Sequence, residues 1–420
     1  MERAFILKNK DYFLLFLGNL VSNLGTHIFN FSMSLYILFL TGGNAIQAGL
    51  YMAFGAVVFF VLTPFGGAIV DRLDKVKVVF ITDLINGAAI LIAGYAIFSG
   101  LSVQGVILVL YATSLVLGVS GALFSPAARS LPVHILEEDQ LQQSSSLTQG
   151  VGALYAIIGP AIGGVLYGFL DIEFIFWING ISFILSGFSE MFIKIRTKEE
   201  NVQHKITLRN TLVDIKEGFS YLWTLKGIRN MMLIAAILNF FTAPIIVNGL
   251  PYLFTVELDV NPMYYSMLLA SYPVGIIVSS ILLGSRKQKE MVSPLMVKGL
   301  FGMSFSFSVF AVTTYLLLNQ SITFMLFMII ALIAIVITGF FNGFLNVPLG
   351  VAIMKSVEKD KMGRVFSVTS IISNGVTPIA IAIGGVAITY LGMNNLFLIA
   401  CVALFITSFM TLKNKAVSKI

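Results

Sequence analysis

Asn19, Asn23, His27 and Asn30 interrupt the segment LGNLVSNLGTHIFNFSMS, Leu17 to Ser34, which is otherwise largely apolar. Their spacing of four, four and three residues puts them along one side of an α-helix, with Ser34 continuing the line. Three carboxamides offer hydrogen bonds, and the imidazole titrates near physiological pH. Left unpaired in hydrocarbon, each such group costs on the order of several kcal/mol, so the stripe needs either water or a polar neighbour. At a rise of about 1.5 Å per residue it is roughly 16 Å long, about half the depth of a bilayer core. Facing a wet cavity, the four groups are solvated. Interhelical hydrogen bonding, worth about 0.6 kcal/mol per bond in membranes, is the structural alternative and stays open for each single Asn.

The element carrying the stripe has to be a membrane helix. Hydrophobic residues make up 57% of the 420 residues and charged residues 11%, against roughly 25% charged in a soluble domain. Apolar runs of about 20 residues, the length that crosses a bilayer, occur twelve times. They fall near 12–40, 46–70, 76–98, 103–125, 147–169, 173–193, 228–255, 263–284, 293–318, 321–348, 365–390 and 394–412. Twelve spans put both termini on one side, and the 26 Lys and Arg residues fall on that side or at its edge. By the positive-inside bias the termini are expected in the cytoplasm. The net charge of +6 is thus a topology signal and calls for no nucleic acid. The first apolar run is too long for a cleavable signal peptide and lacks a small-residue cleavage site, so it reads as a retained span. Heavy use of Ile, Phe, Lys and Asn points to a bacterial cell membrane.

Two six-helix halves are expected, 1–194 and 228–420, joined by a linker over 195–227. Within the linker Leu208, Leu212, Ile215, Phe219 and Leu222 recur at helical spacing among charged residues, which predicts an amphipathic helix packed under the bundle. A shift of 221 residues lays EEDQLQQSSSLT (137–148) over EKDKMGRVFSVT (358–369), and IIGPAIGGV (157–165) over PIAIAIGGV (378–386); ten of the 29 positions from 137 to 165 match. An even number of spans per half makes the repeats parallel, related by an axis along the membrane normal.

Enzyme chemistry finds no support. No GxxxxGK[ST] phosphate loop, HExxH pair or GxSxG elbow is present. His27, His134 and His204 are far apart, and a lone Cys401 makes no intramolecular disulfide. No metal and no cofactor is expected; an ion gradient is left as the energy source. Small residues concentrate instead at Gly159, Pro160, Gly163 and Gly164 in span five and at Gly339, Gly343 and Gly350 in span ten, where they let helix backbones approach closely.

The stretch GGAIVDRLDKVKVVFITDL, Gly66 to Leu84, resembles the loop between spans two and three of the major facilitator superfamily. In that pattern a Gly, an Asp-Arg pair and further bases recur, here Gly67, Asp71, Arg72, Lys75 and Lys77. Asp74 stands where a Gly is usual and Val76 interrupts the bases. FSPAARSLPVHILEEDQL (124–141) and MGRVFSV (362–368) are similar to the branch of macrolide efflux and siderophore exporters. The Arg in span four and the strict glycine pattern in span five that antiporters often carry are absent: 113–121 holds no base, and Tyr155 occupies a glycine position.

The resemblance implies an all-α integral membrane protein in which spans one, four, seven and ten line a central cavity. Asn239 and Thr242, Asn342 and Asn346, and Ser114 and Ser125 would then join the stripe of span one. It also implies a latch on the cytoplasmic side made of Gly67, Asp71, Arg72, Lys75 and Arg129 with Gly363 and Arg364; an acid at position 71 fits beside the positive N-terminus of span eleven. His27 and Asp83 are the expected proton-coupling groups, with Asp83 alternatively completing the charge network of the latch. Glu190, one turn from Lys194, is expected in a surface ion pair. The expected function is proton-driven export of a hydrophobic or amphipathic small molecule by a monomer in the lipid bilayer, a macrolide-like drug being the family-guided substrate. An importer or lipid flippase of the same fold, and a non-transporting sensor, are the alternatives.

Overall fold

The computed structural model describes residues 9–70, 72–195, 208–284, 293–357 and 362–417. Among the described residues there is helix and no strand. The helices are α1 (Lys10–Leu40), α2 (Ala45–Val70), α3 (Lys75–Phe98), α4 (Val103–Ile135), α5 (Glu138–Phe169), α6 (Ile172–Glu190) and α7 (Leu208–Thr224), followed by α8 (Lys226–Pro244), α9 (Pro262–Gly284), α10 (Ser293–Leu318), α11 (Phe324–Ser356), α12 (Met362–Asn374) and α13 (Thr377–Lys413). Ten helical stretches among the described residues are long and apolar enough to cross a membrane, and Leu154–Phe169 is a shorter apolar helix. One of the ten, Ile371–Lys413, has 43 residues, about twice the length a bilayer needs. It is broken at Gly392, whose φ of 76° and ψ of 164° suit glycine alone. The architecture is consistent with twelve crossings.

Polar residues set the helix ends. Asp74 caps α3 by accepting from the backbone N–H groups of Val76 and Lys77 at 3.0 and 3.2 Å. This gives the Asp at the family's glycine position a use, since the first turn of a helix has unpaired donors. At the start of α5, Glu137 and Gln140 form a reciprocal capping box. Both α4 and α5 run about ten residues beyond the apolar segments expected for spans four and five, because a helix continues past the hydrocarbon wherever its backbone bonds are kept. Pro126, Pro132 and Pro160 lie inside them without ending them. The stretch expected as a plain span over 228–255 is α8 followed by π-helical turns at Ile245–Gly249 and Leu253–Glu257, next to Pro244 and Pro251. A proline supplies no N–H, so the ladder resets with a wider turn.

The chain divides into two compact units, one of residues 1–36 and 54–212, the other of 37–53 and 213–420. In the first, α3 packs against α6 and α4, and Tyr12, Leu15, Val79, Ala127 and Leu131 form a buried cluster. In the second, α11 packs against α10 and α9, and α13 against α8. Gly275 of α9 meets the Val336 carbonyl of α11 and Gly339 of α11 meets the Tyr272 carbonyl of α9, contacts that leave no room for a side chain. Residues 37–53 belong to the second unit although they lie in the first half of the sequence. There a methyl on Gly49 would sit 3.1 Å from the Ile381 carbonyl. The amphipathic pattern of the linker is met by α7, whose Leu222 is fully buried beside Ile228, Met296 and Val417.

Candidate functional site

The first unit contains a cavity of about 780 Å³, within the roughly 300–1,000 Å³ that holds drug-sized ligands. Asn19, Asn23 and Thr26 of α1 face it, as do Phe59 of α2, Phe124, Ser125 and Arg129 of α4, and Ser144, Thr148 and Tyr155 of α5. Asn19 Nδ2 donates to the Leu15 carbonyl at 2.9 Å and Asn23 Nδ2 to the Asn19 carbonyl at 2.7 Å. These bonds fix the amides on their own helix, while neither Oδ1 accepts a bond among the described residues, so both remain acceptors for a guest. Among the described residues Arg129, which is exposed, is the one Lys, Arg, Asp or Glu on the cavity wall. The rest is mostly aromatic and aliphatic, with Tyr12, Leu15, Phe16 and Val151 among the lining residues. Such a wall suits a large apolar guest with a few hydrogen-bonding groups.

The helical stripe is not one surface. His27 packs against α5: its Cβ lies where a side chain on Gly159 would be, and its ring is 5.8 Å from that of Tyr155. Asn30 is exposed and is not part of the cavity wall. At about 100° per residue, seven residues from Asn19 bring Thr26 back to within roughly 20°, while eight leave His27 roughly 80° round the helix. Thr26 was therefore the better reading of the pattern, but its hydroxyl, which donates to the Ser22 carbonyl at 2.8 Å, is an inconspicuous signal in sequence. Ser144 and Thr148, four residues apart, and Tyr155 carried a helical signal that went unread. Ser125 lines the cavity, whereas Ser114 lies against Gly55 of α2.

In the second unit Asn239 Nδ2 donates to the Ser373 carbonyl at 2.8 Å and reaches Asn374 Oδ1 at 3.4 Å. It thereby ties α8 to the last turn of α12, where carbonyls have lost their helical partners. Thr242 donates to the Leu238 carbonyl on its own helix. Asn346 Nδ2 donates to Asn342 Oδ1 at 2.7 Å, and Asn342 Nδ2 approaches Met303 Sδ of α10 at 3.9 Å.

Residues 15–330 match the family model described as Major Facilitator Superfamily. The chain belongs to the major facilitator superfamily. Among relatives of known name it is 24% identical over 393 residues to macrolide efflux protein A of Streptococcus pyogenes, covering 93% of this chain and 92% of that protein. Macrolide efflux protein A of Enterococcus faecalis is 25% identical over 331 residues, 78% of this chain and 96% of the relative. Among solved structures, a D-xylose-proton symporter superposes with a TM-score of 0.72 at 12% identity, covering 96% of each chain, which establishes the shared fold. The protein is a multi-pass membrane transporter of this superfamily and not an enzyme.

The superfamily's loop pattern is partly visible. Arg72 is exposed and Lys75 is buried at the start of α3. A methyl on Gly67 would meet nothing within 4 Å, whereas one on Gly66 would collide with the Ala122 carbonyl of α4, so close packing here needs Gly66. Asp71 lies outside the described residues, and Gly363 and Arg364 stand in the first turn of α12. Arg129 joins the wall of the cavity. Glu190 departs from its expected surface ion pair. It is fully buried, whereas Lys194 is exposed. The reason is that α6 ends at Glu190: the following turn carries Lys194 outward while the carboxyl group stays against Gly18 of α1. Asp83 is also fully buried, and the acid beside it is Glu190.

Proposed function

We propose that the protein exports a hydrophobic or amphipathic small molecule, of the macrolide class, by proton antiport with alternating access. The observation that carries this reading is the cavity of the first unit. Its volume of about 780 Å³, its aromatic and aliphatic walls and its acceptors on Asn19 and Asn23 match a bulky guest that is mostly apolar with a few hydroxyl groups. Among the described residues of that wall there is no carboxylate and a single base, which disfavours strongly charged substrates. The macrolide efflux proteins, similar over 93% and 78% of the chain, support the same substrate class and direction. The reading includes cytoplasmic termini, a monomer in the bacterial cytoplasmic membrane, and a proton gradient as the energy source with no cofactor.

The test is accumulation of a dye and drug panel that includes erythromycin, in cells with and without the protein and with and without an uncoupler. The reading expects lower accumulation in expressing cells, restored by the uncoupler and by Asn19→Leu/Asn23→Leu. Higher accumulation in expressing cells, or an effect indifferent to the uncoupler, contradicts it.

A further inference from the structure

Two carboxyl groups lie against each other inside the first unit, away from the wall of the cavity. Asp83 in the third turn of α3 and Glu190 at the end of α6 are each 0% exposed. The Ser186 hydroxyl, one turn before Glu190, sits beside both acids. It is 1% exposed and, like all four carboxyl oxygens, has no well-formed hydrogen bond among the described residues. From the third side α1 closes over the group: a methyl on Gly18 would stand 2.9 Å from Ser186 Oγ and 3.1 Å from Glu190 Oε1. About two turns further along, Gly25 meets Ser182 and Asn179 of α6 in the same manner. Polar side chains thus fill the seam between α1, α3 and α6.

Charge accounting decides what this cluster holds. Taking one carboxylate out of water costs several kcal/mol, and a second beside it adds like-charge repulsion, so two ionised acids cannot stand here together. Among the described residues no base pairs with either acid. On α1 the nearest titratable groups are Tyr12, Asp11 and Lys10; Lys10 is exposed and Asp11 accepts the Lys194 backbone N–H at 3.0 Å. On α3 the bases are Lys75 and Lys77, about 12 and 9 Å along the helix from Asp83. Arg129 of α4 faces the cavity, and Lys194 after α6 is exposed. Carboxyl pairs in this situation share a proton.

We propose that Asp83 and Glu190 hold one exchangeable proton between them, and that this pair, whose Glu190 lies under Gly18, is the proton site of the transporter. The link to the cavity is α1 itself. Gly18 covers Glu190 and Ser186 while its sequence neighbour Asn19 faces the cavity, and Ser22 and Gly25 line up behind Gly18 as Asn23 and Thr26 do behind Asn19. A guest that displaces α1 at the cavity therefore moves the lid over the pair and changes its access to water. The coupling role rests on the antiport reading above; the shared proton does not.

Two measurements separate those claims. Infrared spectra of the purified full chain, compared between about pH 5 and pH 9, a range above that in which ordinary carboxylates titrate, read protonated carboxylic acid directly. An acid carbonyl band present at neutral pH, shifted in Asp83→Asn and in Glu190→Gln and lost in the double variant, is the expected result. Absence of such a band, its persistence in the double variant, or its appearance only when sodium is removed overturns the shared proton. In proteoliposomes with an imposed pH gradient and erythromycin as the probe, Glu190→Gln lowers gradient-driven flux at least tenfold more than it lowers erythromycin self-exchange, and Glu190→Asp restores much of the difference. Parallel loss of both fluxes overturns the coupling role. If the unmodified protein moves no erythromycin, the export reading fails while the infrared result still decides the proton pair.

Discussion

Gly25→Ala tests the seam on which α1 rests. The added Cβ would lie 2.5 Å from Ser182 Oγ and 2.6 Å from Asn179 Oδ1, roughly 1 Å inside van der Waals contact. The Ser182 hydroxyl donates to the Asn179 carbonyl at 2.7 Å, so it cannot rotate away without losing that bond. Overpacking of this kind costs about 1–3 kcal/mol, and the lost bond about 0.6 kcal/mol. The helix propensity of Ala over Gly returns about 1 kcal/mol. The net expectation is about 0.6–2.6 kcal/mol of destabilisation. Gly67→Ala is the matched control, because nothing lies within 4 Å of its Cβ position and it is helical; it gains about 1 kcal/mol from propensity alone. Equilibrium unfolding of the purified protein in mixed detergent micelles measures both. The double variant Gly25→Ala/Ser182→Ala recovers part of the loss, since one of the two clashing oxygens is gone. If Gly25→Ala is as stable as Gly67→Ala, the packing of α1 on α6 described here is wrong.

Removing the Asp74 cap with Asp74→Ala leaves the amides of Val76 and Lys77 without their acceptor and lowers stability in the same assay by about 1 kcal/mol, whereas Asp74→Asn loses much less. Gly392→Ala forces a side chain into a backbone conformation of φ 76° and ψ 164°, and costs on the order of 1–3 kcal/mol; an unchanged midpoint speaks against a break at that residue.

Apolar run length was enough to read an all-helical membrane protein, because the bilayer imposes it. What the runs concealed were the polar helix extensions, such as the end of α4 at Ile135, where backbone bonding continues without lipid. The prolines of α4 and α5 left the helices intact, while Pro244 and Pro251 coincide with wide turns, a difference that residue type does not encode. The stripe on α1 was legible as a polar surface, yet its division between a cavity and a helix contact was not. Asn19 and Asn23 face the cavity, His27 is taken by Tyr155 and Gly159, and only the positions of α4 and α5 decide between those fates. Glu190 shows the same limit more sharply. Its neighbour Lys194 advertised a surface pair, but burial against Gly18 and Asp83 depends on helices more than 100 residues away in sequence.

The central claim is that the Asn19 and Asn23 side of α1 is the wetted wall of the substrate cavity and the Ser22 and Gly25 side is sealed against α6. The chain's one cysteine, buried Cys401, is removable as Cys401→Ser, which leaves a clean background for single cysteines. Labelling of Asn23→Cys and Ser22→Cys by a membrane-impermeant thiol reagent, in membranes of both orientations and with and without erythromycin, measures the claim directly. Rapid labelling at position 23, slowed by erythromycin, with little or none at position 22, is the predicted result. Equal labelling at the two positions, or none at position 23 from either side, contradicts the account.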